Sequence, residues 1–288
     1  MNTPRYGLVE AGGTKFVLGV AADKDSIEAT TRIETTTPDQ TIGAMLDWFR
    51  GQGELAAIGV ASFGPLELDK GSPNWGHITD TPKPHWSGAD IAGPLQRALG
   101  CPVAIDTDVN GAALAEYLWG AGQGQKELLY LTIGTGIGGG AIVDGRILKG
   151  LSHPEMGHIC LPRHPDDLDF GGNCPFHGAC LEGLASGPAI QARWGASLSE
   201  LPADHVAHRI IAYYIAQTVV TMQAIFAPGR IIFGGGVMGT PGLIERVRQQ
   251  AVVFGGGYFR GDPSEIVVLP GLGDMAGLLG ALALAQSA

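Results

Sequence analysis

Cysteine and histidine recur at three-residue intervals in Cys174-Pro175-Phe176-His177-Gly178-Ala179-Cys180, a C-x-x-H-x-x-C stretch set among glycine and proline. Two thiolates and an imidazole at this spacing suit zinc, which takes a fourth ligand to complete a tetrahedron. His158, in Glu155-Met156-Gly157-His158, is the first choice, with His153, His164 and Cys160 as competitors. A shell of two sulfurs and two nitrogens leaves no site for a reactive water, so it predicts architecture. Its binding free energy, on the order of 10 kcal/mol, would order the loop. A loop with incidental cysteines is the alternative. With His158 on the metal, Glu155 is held close by and can grip substrate hydroxyls.

A second chemical group lies in Asp106-Thr107-Asp108-Val109-Asn110, at the end of a predicted strand. Either Asp108 or Asp106 can accept a proton from an attacking hydroxyl. On an extended segment the two project to one side, and Thr107 and Val109 to the other. Asn110 can orient the hydroxyl. The competing assignment for either aspartate is a cap on the helix that begins Gly111-Ala112-Ala113-Leu114.

Glycine supplies the third device. Gly7-Leu8-Val9-Glu10 runs into Ala11-Gly12-Gly13-Thr14-Lys15 and leaves as Phe16-Val17-Leu18-Gly19-Val20; Leu129-Tyr130-Leu131-Thr132-Ile133 runs into Gly134-Thr135-Gly136 and leaves as Gly139-Gly140-Ala141-Ile142-Val143. Each reads as a hairpin whose turn exposes backbone N–H groups to phosphate oxygens, with Thr14, Thr132 and Thr135 adding hydroxyls. Gly134 to Gly139 matches G-x-G-x-x-G, but a dinucleotide site needs a helix next, and here a strand and an Asp144-Gly145 turn follow. The chain carries no Walker A signature. A single such loop could be only a tight turn. Two, with a third at Gly234-Gly235-Gly236, predict sites for a β-phosphate, a γ-phosphate and an adenosine across one cleft.

The elements that must position these groups alternate strand and helix. At 288 residues the chain exceeds one ordinary core and divides into about two domains. The repeated hairpin points to an internal duplication. Ala207 to Phe226 is apolar almost all round, through Ile210, Ile211, Tyr214, Ile215, Val219, Val220, Met222 and Ile225, and reads as a buried central helix stopped at Pro228-Gly229. A strand at Arg230 to Phe233 follows, and a last helix near Met275 to Ala285 is expected to pack back on the N-terminal lobe.

Composition narrows the function. Hydrophobic residues make up 45% and charged residues 16%, and the mean hydropathy is +0.15, which excludes disorder. A net charge of −10 opposes a nucleic-acid groove. The first residues hold no apolar leader, and no apolar run of about 18 residues follows, so a cytoplasmic protein without a membrane partner is expected. The four cysteines are too few and too scattered for a disulfide framework.

Together these residues resemble the ROK family of sugar kinases and repressors, within the actin, hexokinase and Hsp70 ATPase superfamily, almost end to end. Glu10 to Lys15 resembles its first phosphate motif, Asp108-Val109-Asn110 its catalytic segment, Gly134 to Gly140 its second phosphate motif, and Glu155 to His158 its sugar and zinc motif. The resemblance implies an α/β fold of two actin-like (ribonuclease H-like) lobes, a nucleotide and sugar cleft between them, and a small zinc-binding loop. The lobes would be residues 1–115, completed by a C-terminal helix at about 275–288, and 116–274, which holds the zinc loop 153–182.

It implies Asp108 as general base; Asn110, Glu155, His158, Gly64 and Pro65 at the sugar; and His158, Cys174, His177 and Cys180 on structural Zn²⁺. Gly12, Gly13, Thr14, Lys15, Thr132, Gly134, Thr135, Gly136, Pro188, Gly235, Gly236, Val237 and Met238 would line the nucleotide. ATP with Mg²⁺ and a homodimer are implied too. Glu10 stands where many members have aspartate, and the Cys-Pro-Phe-His-Gly-Ala-Cys metal motif is poorer in cysteine than theirs. Both features, with Ala61-Ser62-Phe63-Gly64-Pro65-Leu66 and Thr81-Pro82-Lys83, resemble the bacterial fructokinase branch, whose members phosphorylate D-fructose to fructose 6-phosphate. Glucose or mannose is the alternative acceptor within the fold. A non-catalytic sugar-sensing protein is the alternative outside enzymes, although the repressors' N-terminal helix-turn-helix has no room before the strand that starts by Tyr6.

Overall fold

The structure is a computed structural model that describes residues 3–288. In chain order it contains β1 (Tyr6–Ala11), β2 (Lys15–Ala21), β3 (Ile27–Glu34), α1 (Pro38–Arg50), β4 (Ala57–Ser62), α2 (Ala92–Leu99), β5 (Val103–Thr107) and α3 (Asp108–Trp119). Then come β6 (Leu128–Ile133), β7 (Ile137–Val143), β8 (Arg146–Ile147), α4 (Leu181–Ala185), α5 (Gly187–Trp194), α6 (Val206–Phe226) and β9 (Arg230–Gly234). The chain ends through α7 (Leu243–Gly255), α8 (Pro263–Ile266), β10 (Val267–Val268) and α9 (Ala276–Gln286). It divides into two units, one running to Leu118 with Ile147–His153 and Leu272–Ala288, the other comprising Trp119–Arg146 and Pro154–Gly271.

The first unit is built on a sheet ordered β3-β2-β1-β4-β5, antiparallel from β3 to β1 and parallel from β1 through β5. Every residue of β4 is buried, as expected of a parallel strand covered on both faces. Ile58 and Val60 share one core with Met45 and Phe49 of α1 and Leu95 of α2, while the alternate residue, Gly59, turns to α9. A Cβ at Gly59 would collide with the backbone of Ala281 and Ala285, so this glycine sets how closely the helix lies on the sheet. Residues 278–285 of α9 are buried throughout, which explains an Ala/Leu sequence with no polar face. Trp86 closes the core against Phe16 and Phe63, and its indole N–H donates to the Thr36 carbonyl at 2.8 Å.

The second unit repeats the plan with a sheet ordered β10-β9-β6-β7-β8, in which β6 and β7 form the antiparallel hairpin and β9 runs parallel to β6. Its buried post is α6, packed on α4 and α7. The all-round apolar expectation holds for Ile210, Ile211, Tyr214, Ile215, Val219 and Met222, whereas Val220 is half-buried and Ile225, in the last turn before the left-handed cap Ala227 at φ 45°, is exposed. Among the described residues no helix is long and apolar enough to cross a membrane.

Candidate active site

In the first unit, the ends of three parallel strands align. Ala11 of β1 is opposite Ser62 of β4, which is opposite Thr107 of β5. The segments that follow, Gly12 to Thr14, Phe63 to Pro65 and Asp108 to Asn110, therefore emerge along one edge, the carboxyl edge where open α/β sheets bind ligands. The Gly12 N–H donates to the Lys15 carbonyl at 3.0 Å, and Thr35 clamps the turn from outside, its hydroxyl donating to the Gly12 carbonyl at 2.8 Å and its N–H to the Thr14 carbonyl at 3.0 Å. Thr14 and Lys15 are exposed, and nothing would crowd a Cβ at Gly13. Behind the turn, burial pushes the Glu10 carboxyl above its ordinary value, Lys15 and Arg32 pull it down, and Asp274 raises it.

The two aspartates do not share an extended segment. β5 ends at Thr107 and Asp108 opens α3, so the backbone changes from strand to helix between them. Thr107 takes the capping role weighed for the aspartates: its hydroxyl accepts the Asn110 N–H at 3.2 Å. Asp106 is buried and committed, accepting from Asn110 Nδ2 at 2.7 Å and the Thr107 N–H at 2.9 Å, and pairing with Lys149 Nζ at 2.9 Å. Asp108 is only half-buried and accepts the Val109 N–H at 2.8 Å. Of the two aspartates it is the more exposed. The Gly64-Pro65 peptide is cis, and the N–H of Leu66 donates to His153 Nε2 at 3.0 Å.

In the second unit, Thr132 of β6 pairs with Gly234 of β9, so the Gly134–Gly136 loop and the turn at Gly235 leave from neighbouring parallel ends. Gly235 adopts φ 89° with its missing Cβ directed at the Ile133 backbone, a place no other residue fills without strain. The Gly134 carbonyl accepts the Gly187 N–H at 2.7 Å, which draws the start of α5 to the loop. These segments line a cavity of about 730 Å³ containing Gly134, Thr135, Pro188, Gly236 and Val237 of the expected nucleotide residues. Thr132, Gly136, Gly235 and Met238 lie outside its lining. Ile190, Gln191, Leu198 and Thr240 line it and were not anticipated. The signals for part of this wall were legible as Ser186 ahead of Pro188 and as the Ser197-x-x-Glu200 capping box. Glu182 was also missed: its carboxylate accepts the Ile137 N–H at 2.9 Å and lies against Gly136.

The four zinc candidates gather in the same unit. Ligand atoms of His158, Cys174, His177 and Cys180 all lie within 4.8 Å of one another. Cys174 Sγ is 3.7 Å from His158 Nδ1 and 3.8 Å from His177 Nδ1, and Cys180 Sγ is 3.5 Å from His158 Nδ1. A zinc tetrahedron with Zn–S of about 2.3 Å and Zn–N of about 2.0 Å has S···N edges of about 3.5 Å, so the donor set fits with little closure. Burial, with Cys174 beside it, pushes the Cys180 thiol up to about 11, against backbone hydrogen bonds from Gly183 and Glu182 that lower it. The competitors stay out of the cluster: His153 holds Leu66, His164 Nδ1 accepts the Asp166 N–H at 3.0 Å, and Cys160, though its backbone bridges to Cys180, is exposed. Glu155 is exposed, directly before the 3-10 turn Met156–His158 that carries the histidine.

The profile of the ROK family matches residues 6–288. The chain belongs to the ROK family. Within it, a fructokinase of Zymomonas mobilis is 52% identical over 98% of this chain and 97% of its own length. Among solved structures, a ROK hexokinase from Thermus thermophilus superposes with a TM-score of 0.80 at 28% identity, covering 98% of both chains. A ROK family glucokinase from Streptomyces griseus, in complex with glucose and AMPPNP, gives 0.76 at 26% identity over 99% of this chain and 100% of its own. The α/β fold with two mixed sheets is thus a ROK fold.

Proposed function

We propose that this protein transfers the γ-phosphoryl group of ATP to a hexose, D-fructose, giving fructose 6-phosphate, with Asp108 accepting the proton of the attacking hydroxyl. The observation that carries the chemistry is the contrast between the two aspartates: Asp106 is buried and held by Asn110, Thr107 and Lys149, while Asp108 stands half-exposed at the start of α3 on the carboxyl edge of the sheet. Phosphoryl transfer asks a protein mainly for alignment and charge stabilisation, plus an acceptor for the hydroxyl proton. Asn110 and the Phe63–Pro65 segment emerge along that edge and would contact the sugar, as would Glu155 and His158. Gly12 to Lys15 and the wall of the 730 Å³ cavity would hold the nucleotide. Fructose is favoured over glucose because the fructokinase relative shares 52% identity and the glucokinase 26%.

Two ions belong to this reading. Mg²⁺ bound to the nucleotide would neutralise phosphate charge, and Glu10, raised by burial, is the acid beside the first loop whose ionised form a cation would favour. Zn²⁺ would be held by His158, Cys174, His177 and Cys180, fixing the turn that carries Glu155. A coupled ADP-release assay with D-fructose, D-glucose and D-mannose tests the assignment. The highest kcat/KM is expected on fructose, and ADP release no faster than without sugar would overturn it.

A further inference from the structure

Asp106 is a buried carboxylate that the proposed chemistry does not use, and its partners give it a definite task. Its Oδ1 accepts from Asn110 Nδ2 at 2.7 Å, across the junction of β5 and α3, and from the Thr107 N–H at 2.9 Å. Its Oδ2 meets Lys149 Nζ at 2.9 Å, and the lysine supplies the counter-charge that a carboxylate 1% exposed requires. A carboxylate only accepts, so the Asn110 atom facing it must be the amide nitrogen. The other amide atom, Oδ1, is then an oriented acceptor, buried and without a hydrogen-bond partner among the described residues. A buried acceptor left unpaired is costly and uncommon, and a ligand hydroxyl is the partner that resolves it.

We propose that Asp106 and Lys149 are positioning residues for the sugar: together they lock the Asn110 carboxamide so that it offers the substrate a carbonyl acceptor and never an amide donor. The inference rests on the reading that Asn110 contacts the sugar. Oδ1 is covered by protein here, so sugar entry must uncover it. The sugar position that meets Asn110 must bear a hydroxyl that donates; a fluorine in its place would accept only and face another acceptor. Lys149 lies in the Ile147–His153 segment, far from α3 in sequence, and makes the lock depend on that segment's placement.

Steady-state kinetics of Asn110→Ala, Asp106→Asn, Lys149→Met and Lys149→Arg, with melting temperatures alongside, test this. Asn110→Ala should raise the sugar KM. Asp106→Asn and Lys149→Met should each raise it by about tenfold, the scale of one misdirected buried hydrogen bond, with the ATP KM within about twofold. Lys149→Arg should return the sugar KM close to wild type. The Lys149 side chain is 50% exposed, so its variants keep the test alive if Asp106→Asn does not fold. If Asn110→Ala raises the sugar KM and Lys149→Met does not, the lock is overturned while the sugar contact stands. If Asn110→Ala leaves the sugar KM unchanged, the contact itself fails and the lock with it. A fall in melting temperature with both KM values unmoved would likewise assign Asp106 and Lys149 to stability alone and overturn the proposal.

Discussion

The two sheets have the same plan: read outward from the hairpin, β3-β2-β1-β4-β5 matches β8-β7-β6-β9-β10 strand for strand. Their trimmings differ. The first unit has eight residues in its outer strand β3, against two in β8, while the glycine turns are alike in exposure, with Thr14 and Thr135 both exposed at their tips. The second unit shortens its outer strands and spends the chain instead on a metal-ligand loop, a cavity wall and the Gly187 contact on its glycine loop. One device, a strand-turn-strand next to a parallel strand, thus occurs in both units, while the side chains around it differ. The first unit holds Asp108, the proposed proton acceptor, and the second holds the cavity and the four residues proposed to hold zinc.

Substitutions can break this division of labour. The largest effect is expected from Asp108→Asn, which should lower kcat by roughly 10²–10⁴-fold with little change in either KM, because it removes the proton acceptor and leaves the contacts. Stopped or single-turnover ADP release measures it. Next, Cys180→Ser should drop bound zinc from one equivalent towards none by elemental analysis, and lower the melting temperature markedly, since a structural zinc is worth on the order of 10 kcal/mol. Among the described residues the first unit has no comparable cluster, so its own hydrogen-exchange protection should persist.

Gly235→Ala should cost about 1–3 kcal/mol, from a left-handed φ and a collision with the Ile133 backbone, and raise the ATP KM while sparing the sugar KM. The smallest effect concerns Glu10. Its carboxyl is raised in the folded protein, so the cost of burying its charge is absent below the ordinary carboxylate range and fully present once pH exceeds the folded value. Glu10→Gln should therefore melt slightly higher than wild type at pH 7, and the difference should vanish as pH falls towards 4.

Much of this was legible because glycine turns and metal-ligand spacing are local signals. The paired strands around Gly12 and Gly134, the cysteine-histidine cluster and the buried α6 all follow from residues close in sequence. The Asp106/Asp108 geometry was misread because the strand passes into α3 without an intervening loop; Thr107, a good cap, was the residue that marked the boundary. Lys149 and Glu182 were not anticipated, since an ion pair to Asp106 and a hydrogen bond to Ile137 depend on tertiary approach that no local pattern encodes.

The central claim is that Asp108 and the segments beside it serve transfer from ATP to fructose. Incubating the protein with ATP, Mg²⁺ and an equimolar mixture of D-fructose, D-glucose and D-mannose, and following the products by ³¹P NMR, tests it most directly. The account predicts fructose 6-phosphate as the main product, and almost none from Asp108→Asn under the same conditions. Glucose 6-phosphate or mannose 6-phosphate in excess, or equal product from the Asp108→Asn protein, would contradict it.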